Sequence, residues 1–382
     1  MLENQNIRPI DNPFVTTGYV GDEYFCDREK ETEDLIRLLT NGNNVALISP
    51  RRIGKTDLLR HCFAQKEIVE KYYPFIIDIY STKSVADFVN KLGAAILDQL
   101  KPLGRRTLER FLAVLSSVRS GISFDVNGIP TWSLSVGDIS SPMTTLDEIF
   151  AYLQQADRPC LVAIDEFQQI TKYADANIEA TIRTYVQYCS NANFVFSGSR
   201  QHLMGTMFSS PARPFYQSVT MYSLKCLPID KYRSFAVENF SRRGKSLDPM
   251  TVDLLYERFD GVTYYIQKVM NELYSRTPEG QTCPREAVDD AIYGIIDVSA
   301  PIYDDLLYQL PEKQSRVLQA IGKEGRARNV TSGKFAKKYG LISPSSVKSA
   351  VPALVEKGLL TREGDAYQVY DKFFNIWLNR YF

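Results

Sequence analysis

One short segment constrains the fold of this 382-residue chain more than any other. Residues 45–48 form an apolar run, a helical pattern extends from 55 to about 65, and between them lies Ser49-Pro50-Arg51-Arg52-Ile53-Gly54-Lys55-Thr56. A loop between a buried strand and a helix N-terminus turns backbone N–H groups inward and presents the positive end of the helix, which favours phosphate groups. The segment therefore predicts an α/β protein with a parallel sheet and a phosphate-binding loop.

The residues of this loop have distinct predicted roles. Gly54 lets the backbone approach a phosphate closely, Lys55 neutralises phosphate charge, and the Thr56 hydroxyl binds Mg²⁺. The predicted nucleotide-binding set runs from Ser49 through Thr56 and includes Asp57. The consensus opens with glycine where this chain has Ser49, which weakens the match but leaves the glycine-lysine-threonine core intact. Arg51 and Arg52 flank the phosphates, or instead pair with acids across the domain.

A second motif supplies the acids that such a loop requires. Residues 160–164 form an apolar run that ends in Asp165 and Glu166. A strand inside a sheet core has no use for paired charges at its end unless something cationic lies there. Asp165 is therefore predicted to hold Mg²⁺, and Glu166 to polarise the attacking water as the catalytic base. The two motifs together predict a nucleoside triphosphate site rather than a chance glycine-lysine-threonine sequence.

The next apolar run, residues 194–196, is followed by polar residues. Ser197, Ser199 and Arg200 are candidates to sense the γ-phosphate, because the neighbouring strand of such sheets commonly delivers a polar residue there. Arg200 is predicted to stabilise the charge that develops in the transition state. A solvated arginine in a strand-end loop is the equally weighted alternative.

The order of predicted elements divides the chain into three parts. Residues 1–228 alternate helices and strands and predict an αβα sandwich of the P-loop NTPase type. Within them, residues of about 120–137 form a predicted hairpin insertion, with Ile122, Phe124 and Val126 before an Asn127-Gly128 turn and Trp132, Leu134 and Val136 after it. Residues 229–310 carry apolar side chains at helical spacing. Residues 311–382 predict three helices and a hairpin, the pattern of a winged helix-turn-helix domain.

Charge and composition restrict the function classes. The net charge is zero, but residues 312–382 contain 13 Lys and Arg against 6 Asp and Glu. A basic C-terminal segment on an acidic body favours a partner with negative charge. Residues 1–6 contain no basic-then-apolar leader, no apolar run reaches the length of a membrane helix, and the six cysteines are scattered. We therefore expect a cytoplasmic protein with no membrane partner and no cysteine metal site.

The chain resembles a known family along nearly its whole length. Residues 24–29, the loop at 49–56, the acidic strand at 164–168 and the closing segment at 370–378 resemble the archaeal-type ATPases, which belong with the STAND and origin-recognition-like branches of the AAA+ superfamily. The resemblance implies ATP and Mg²⁺ as ligands, a helical lid at 229–310 and a C-terminal winged helix. It also implies that Phe25 and Arg28 border the adenine. Where relatives often place a trans-acting arginine, this chain has Gln217.

The third helix of the C-terminal module is the predicted recognition helix. By analogy with other winged helices, Ser345, Ser346 and Lys348 are predicted to face the major groove of double-stranded DNA, with Arg362 on the wing near phosphates. That helix is poor in the Arg, Asn and Gln side chains that read base edges, and Pro352 is expected to bend it. A protein partner for the module is therefore the alternative to DNA.

Three hypotheses follow for the whole chain. The first is an ATP-dependent switch that hydrolyses ATP slowly and repositions its C-terminal module. The second is a DNA-binding regulator in which ATP is mainly structural. The third is a defence or mobile-element component that binds a protein through its winged helix, and oligomers are compatible with all three. The carboxylate at Glu166 favours hydrolysis, because binding alone does not require a base.

Overall fold

The computed structural model describes residues 11–118, 121–125, 129–133, 139–175 and 177–382. The described chain divides into two compact units, one containing residues 17–231 and the other containing residues 12–16 and 232–382. The helical 229–310 segment and the predicted winged helix thus lie mostly in one unit. In the described part of the chain, no helix is both long and apolar enough to span a bilayer.

The first unit contains a five-stranded sheet and a separate hairpin. Its strands are β1 Val45–Ile48, β2 Tyr73–Asp78, β3 Ile122–Phe124, β4 Pro130–Trp132, β5 Cys160–Asp165, β6 Ala192–Gly198 and β7 Thr220–Ser223. The sheet order is β2-β5-β6-β1-β7, and every pairing in it is parallel. Every residue of β1 and β5 is buried, as expected for parallel strands with helices on both faces.

Helices follow most of these strands. They are α1 Glu29–Thr40, α2 Lys55–Ala64, α3 Lys66–Lys71, α4 Val85–Leu100, α5 Arg105–Val114, α6 Pro142–Gln155, α7 Ile178–Tyr188 and α8 Gln201–Ser209, with short 3-10 helices at Asp22–Tyr24, Lys101–Leu103 and Phe167–Lys172. Parallel strands require such crossover connections, since consecutive strand ends lie at opposite edges of the sheet. The predicted αβα P-loop NTPase architecture is confirmed.

The predicted insertion is a hairpin packed against α4. Strands β3 and β4 pair antiparallel with Ile122 opposite Trp132, whereas Val126, the Asn127-Gly128 turn, Leu134 and Val136 lie outside the described residues. The Trp132 indole Nε1–H donates to Asn90 Oδ1 at 2.5 Å. A Cβ on Gly93 would lie 2.7 Å from the Trp132 ring atom Cζ2. The absence of a side chain at Gly93 thus permits the ring to dock on the helix.

This packing gives a stability prediction. Gly93→Ala is expected to lower the free energy of unfolding by about 1–3 kcal/mol, because the new methyl group overpacks against Trp132. Gly205→Ala in α8 is the control, since a Cβ there meets nothing within 4 Å and alanine is favoured over glycine in a helix by about 0.5–1 kcal/mol. Urea unfolding followed by circular dichroism measures both. Equal stabilisation by the two changes would contradict the proposed contact.

The second unit begins with a helical segment. It contains α9 Ile229–Ser241, β8 Ser246–Leu247, α10 Pro249–Arg258, α11 Thr263–Arg276, β9 Thr282–Cys283 and α12 Ala287–Tyr308. The distant Phe14 is fully buried here, and its ring packs against the rings of Phe235, Phe240 and Tyr274. The Asn12 and Asn271 side-chain amides hold the segment by donating to the carbonyls of Asn271 and Phe14, each at 2.8 Å. Residues 12–16 are therefore part of the core of this unit.

The remainder of the second unit is a winged helix. Its elements are α13 Glu312–Glu324, β10 Ala327–Arg328, α14 Gly333–Lys338, α15 Pro344–Glu356, β11 Leu360–Glu363, β12 Ala366–Val369 and α16 Lys372–Tyr381. Strands β10, β12 and β11 form an antiparallel sheet in that order. Helix α15 starts at a Ser343 capping box and continues through Pro352, which lacks the N–H that would bond the preceding turn. The predicted winged-helix fold is confirmed.

Candidate active site

The loop at residues 49–54 connects the buried β1 to the N-terminus of α2. Gly54 has φ +86°, a left-handed conformation that glycine adopts without strain, and it directly precedes the first helical residue, Lys55. Arg52 also has a positive φ, of 68°, but Ser49 is not among the described residues that do. The opening position of the loop therefore does not demand glycine. Ser49 is fully buried and its N–H donates to the Gly198 carbonyl at 3.4 Å.

Lys55 meets Asp165, the last residue of β5, and the adjoining Glu166 at the carboxyl edge of the sheet. The Lys55 ammonium lies 3.3 Å from Asp165 Oδ1 and 3.6 Å from Glu166 Oε1. Lys55 is only 8% exposed and Asp165 only 3% exposed. Buried charges are stable only when paired, so this cation and these anions stabilise one another. The two motifs predicted from the sequence to form one site are together in space.

Two hydroxyl groups complete the surroundings of Asp165. The Thr56 hydroxyl donates to Asp165 Oδ2 at 2.5 Å, and the Ser197 hydroxyl donates to Oδ1 at 2.6 Å. Burial on its own would raise the pKa of Asp165, but the Lys55 charge and these hydrogen bonds outweigh it, so the pKa is lowered. Asp165 is therefore ionised at neutral pH. Ser197, predicted to sense a phosphate, contacts this carboxylate.

Glu166 lies at the start of the 3-10 helix Phe167–Lys172, with φ +57°. Non-glycine residues in this region are strained and cluster at functional sites. Its Oε2 accepts hydrogen bonds from the Ser199 hydroxyl, at 2.9 Å, and from the Gln168 side-chain amide. Arg51 in the phosphate loop donates through Nε to the same Ser199 hydroxyl at 2.9 Å. The loop, β6 and the acidic strand are thus joined around one carboxylate.

Further cations lie beside this carboxylate. Arg200 is exposed at the N-cap of α8. Burial lowers the pKa of the Lys172 ammonium, and the positive charges of Arg200 and Arg51 lower it further. Three cationic side chains therefore influence one another at this edge of the sheet. Sequence reasoning named the two arginines but missed Lys172.

The other side of the loop carries the residues that the family resemblance assigned to the adenine. Phe25 stacks on the His61 ring of α2 at 4.3 Å between centroids. His61 Nδ1 lies 3.1 Å from Asp22 Oδ1, while burial lowers the pKa of the imidazole. Arg28 is buried and donates to the carbonyls of Lys225, at 2.8 Å, and Ile53, at 3.4 Å. Arg28 thus stabilises the loop. Sequence reasoning missed His61, because the two histidines of the chain form no metal-binding motif and gave no other indication of a functional site.

Asp57, the last residue of the predicted set, lies in the first turn of α2. Burial raises the pKa of its carboxyl group, nearby Asp165 adds to that effect, and Arg60 opposes it. It is therefore a weaker candidate for an ionised ligand than Asp165, whose pKa is lowered.

The comparison with known families decides the assignment. The family model described as an ATPase domain predominantly from Archaea matches residues 25–269. The chain belongs to this family. A second family model, described as a probable winged helix domain, matches residues 301–380 of the chain. No curated protein matches it.

Solved structures share the fold over nearly the whole chain. A Walker-type ATPase of Pyrococcus abyssi is 16% identical, with a TM-score of 0.65, and the match covers 96% of this chain and 99% of the other. The ORC2 protein of Aeropyrum pernix, in ADPNP and ADP complexes, is 14% identical, with a TM-score of 0.59 and coverage of 96% and 95%. The Aeropyrum pernix ORC1 protein in complex with DNA is 14% identical, with a TM-score of 0.50 and coverage of 94% and 93%. These likenesses show the fold.

In this member of the family, the predicted DNA contacts of the winged helix have identifiable surroundings. The Ser346 hydroxyl donates to the Ser343 carbonyl, and the Ser345 hydroxyl lies 2.8 Å from that of Ser343, so both serve the helix cap. Lys348 is exposed on α15. Arg362 donates to the Gly364 carbonyl at 2.9 Å within the wing. Of the four, Lys348 has the most freedom to contact a partner.

Other cations of the wing are paired with acids. Arg326 lies 3.1 Å from Glu363, and Arg328 lies 3.2 Å from Asp365. The Lys338 ammonium lies 2.6 Å from Glu324. A polyanion could therefore use these three cations only by breaking their ion pairs.

Proposed function

We propose that this chain hydrolyses ATP with Mg²⁺ and acts as a switch whose nucleotide state controls its C-terminal winged helix. The observation that carries the proposal is the meeting of Lys55, Thr56 and Asp165 at the end of a phosphate-binding loop. Lys55 is the cation for the β- and γ-phosphates, and the backbone of residues 49–54 surrounds them. The ADPNP and ADP complexes of the ORC2 protein, which shares the fold, support a nucleotide at this place.

The residues present fit Mg²⁺. Thr56 and Asp165 offer a hydroxyl and a carboxylate oxygen 2.5 Å apart, and hard oxygen ligands are those that Mg²⁺ prefers. Among the described residues, no group of three or more His, Cys, Asp or Glu side chains is placed to hold a metal. A Mg²⁺ ion held by so few protein ligands takes its others from phosphate and water, and when bound it neutralises phosphate charge.

Glu166 is the proposed base of the hydrolysis. It follows the proposed metal ligand directly, and its Oε1 lies 3.6 Å from the Lys55 ammonium. A carboxylate there accepts a proton from the attacking water, and the positive charge of Arg200 stabilises the charge that develops on the phosphoryl oxygens. This chain has Gln217 where relatives often carry a trans-acting arginine. Stabilisation of the developing charge therefore depends more on a cation of the chain itself.

Duplex DNA is the second candidate, as a partner of the winged helix. Lys334, Lys337, Lys348 and Lys357 are exposed, and within the described residues none of the four is within ion-pair distance of an acid. Unpaired lysines bind phosphates through release of counterions, and that binding weakens steeply with salt. The ORC1 protein that shares this fold was solved with DNA, which supports the candidate. The proposed contacts at Ser345, Ser346, Lys348 and Arg362 belong to it.

One assay tests both candidates. The purified chain is expected to release phosphate from ATP in the presence of Mg²⁺ and to stop when EDTA removes the metal. Duplex DNA of about 30 base pairs is expected to change the rate at about 50 mM salt and to lose its effect near 300 mM, if the lysines bind phosphates. Phosphate release that persists in EDTA contradicts the role of Thr56 and Asp165. A rate that DNA does not alter at low salt leaves the ATPase proposal intact and removes duplex DNA as its effector.

A further inference from the structure

The two oxygens of the Glu166 carboxylate have different surroundings. Oε2 accepts from the Ser199 hydroxyl and from the Gln168 amide, whereas Oε1 faces the Lys55 ammonium at 3.6 Å. A carboxylate oxygen that already accepts two hydrogen bonds has little capacity left for a proton. The neighbours of Glu166 therefore leave Oε1 as the oxygen that can accept a proton.

The direction of each hydrogen bond is fixed by the chemistry. Arg51 Nε can only donate to the Ser199 oxygen, so the Ser199 hydroxyl proton is left for Glu166. The Gln168 side chain presents Nε2 to Oε2, because the reversed amide would set two acceptor oxygens against each other. Both contacts therefore donate to Oε2 and fix its position.

Gln168 is held in this position by close packing. The residue is 4% exposed, and its Oε1 is buried without a hydrogen-bond partner among the described residues. Gly198 permits the approach, since a Cβ there would lie 2.6 Å from Met204 Cγ and closer still to Gln168 Oε1. A buried amide that leaves its oxygen unpaired costs about 1–3 kcal/mol. Its placement is better explained by its bond to Glu166 than by stability.

We propose that Gln168 and Ser199 are positioning residues for Glu166, fixing Oε2 so that Oε1, on the side of Lys55, is the proton acceptor. The proposal rests on the proposed role of Glu166 as base. In the reaction, the water oxygen bonds to the γ-phosphorus and its proton passes to Glu166 Oε1. The bond from the γ-phosphorus to the bridging oxygen breaks, and its electron pair leaves with ADP. In this role Gln168 and Ser199 act through Glu166 and not on the reacting atoms.

Arg51 ties this arrangement to the phosphate loop. It lies in the loop that surrounds the phosphates and donates to Ser199, so the orientation of Ser199 depends on the position of the loop. A hydroxyl that accepts from a cation is also a stronger donor, because linked hydrogen bonds polarise one another. Arg51 thereby contributes, through Ser199, to holding the base in place.

The test is the turnover of Gln168→Met and Ser199→Ala in the 382-residue chain. Each is expected to lower kcat about 10- to 100-fold, which is part of the rate enhancement that a positioned base supplies. KM and the affinity for a fluorescent ADP analogue are expected to stay at parent values. Ser199→Thr keeps the hydroxyl and is expected to retain most of the rate. Gln309→Met, the same exchange at an exposed position of the second unit, is the control. Because the two residues act on one oxygen, the double variant is expected to fall no lower than Glu166→Gln.

The outcomes separate this inference from the proposed function. Parent kcat in Gln168→Met and Ser199→Ala, beside an inactive Glu166→Gln, overturns the positioning role and leaves Glu166 as base. A fall in kcat with an equal loss of ADP affinity indicates a merely structural effect and also overturns it. Parent turnover in Glu166→Gln itself removes the proposed base, on which the positioning role depends.

Discussion

Lys55→Ala is expected to weaken binding of Mg²⁺·ATP at least about 100-fold, which corresponds to about 2.7 kcal/mol. The Lys55 ammonium lies 3.3 Å from Asp165 and 3.6 Å from Glu166, and we expect it to bind the phosphates in the complex. Its removal also leaves Asp165 buried without that charge, so the pKa of Asp165 rises and the metal ligand is weakened. Titration with a fluorescent ATP analogue measures the affinity.

The control for this change is a lysine that lies away from the site. Lys66 on α3 is 86% exposed at its side chain, so Lys66→Ala removes the same charge without affecting the loop. Its ATP affinity is expected to equal that of the parent. Lys55→Met keeps most of the side-chain volume and is expected to behave as Lys55→Ala. Parent affinity in Lys55→Met is incompatible with a phosphate site at this loop.

Glu166→Gln is expected to retain ATP binding and to lose turnover by about 100-fold or more. The amide has nearly the same shape but cannot accept the proton of the attacking water. Binding persists because the carboxylate repels phosphates rather than holding them, so a small gain in affinity is expected. Single-turnover phosphate release and equilibrium binding, measured on the same preparation, separate the two effects.

An exposed glutamate provides the matched control for that exchange. Glu70→Gln on α3 removes one carboxylate whose side chain is 57% exposed, and its rate is expected to match the parent. Hydrolysis at parent rate in Glu166→Gln would transfer the role of base to another group. Loss of binding and turnover together would indicate instead that Glu166 supports the structure of the site.

The sequence predicted those parts of the site that depend on local order along the chain. One apolar strand is followed by Gly54-Lys55-Thr56, and a second ends in Asp165. The secondary structure of both segments follows from their local sequence, and a parallel sheet brings the carboxyl ends of both strands to one edge. Their meeting could therefore be inferred without coordinates. The roles assigned to the individual residues stay predictions for the variants described above.

The contacts that the sequence did not indicate join distant or unremarkable residues. Gln168 follows the acids by two positions and reads as an ordinary polar residue of a helical turn, yet it bonds Glu166 because Gly198 of another strand leaves room for it. His61 and Asp22 likewise pair across two elements. The sequence also showed an excess of Lys and Arg over Asp and Glu in residues 312–382, but it did not show which of these cations are paired. Arg326 and Arg328 form ion pairs with Glu363 and Asp365, which the antiparallel strands bring near them.

The burial of Phe14 determines how this chain can be divided for experiments. A C-terminal fragment that starts at residue 232 lacks the ring that fills the space among Phe235, Phe240 and Tyr274, and it exposes those aromatic faces to water. Deletion of residues 12–16 removes the same ring and has the same effect. An experiment on the second unit alone therefore requires residues 12–16 together with residues 232–382.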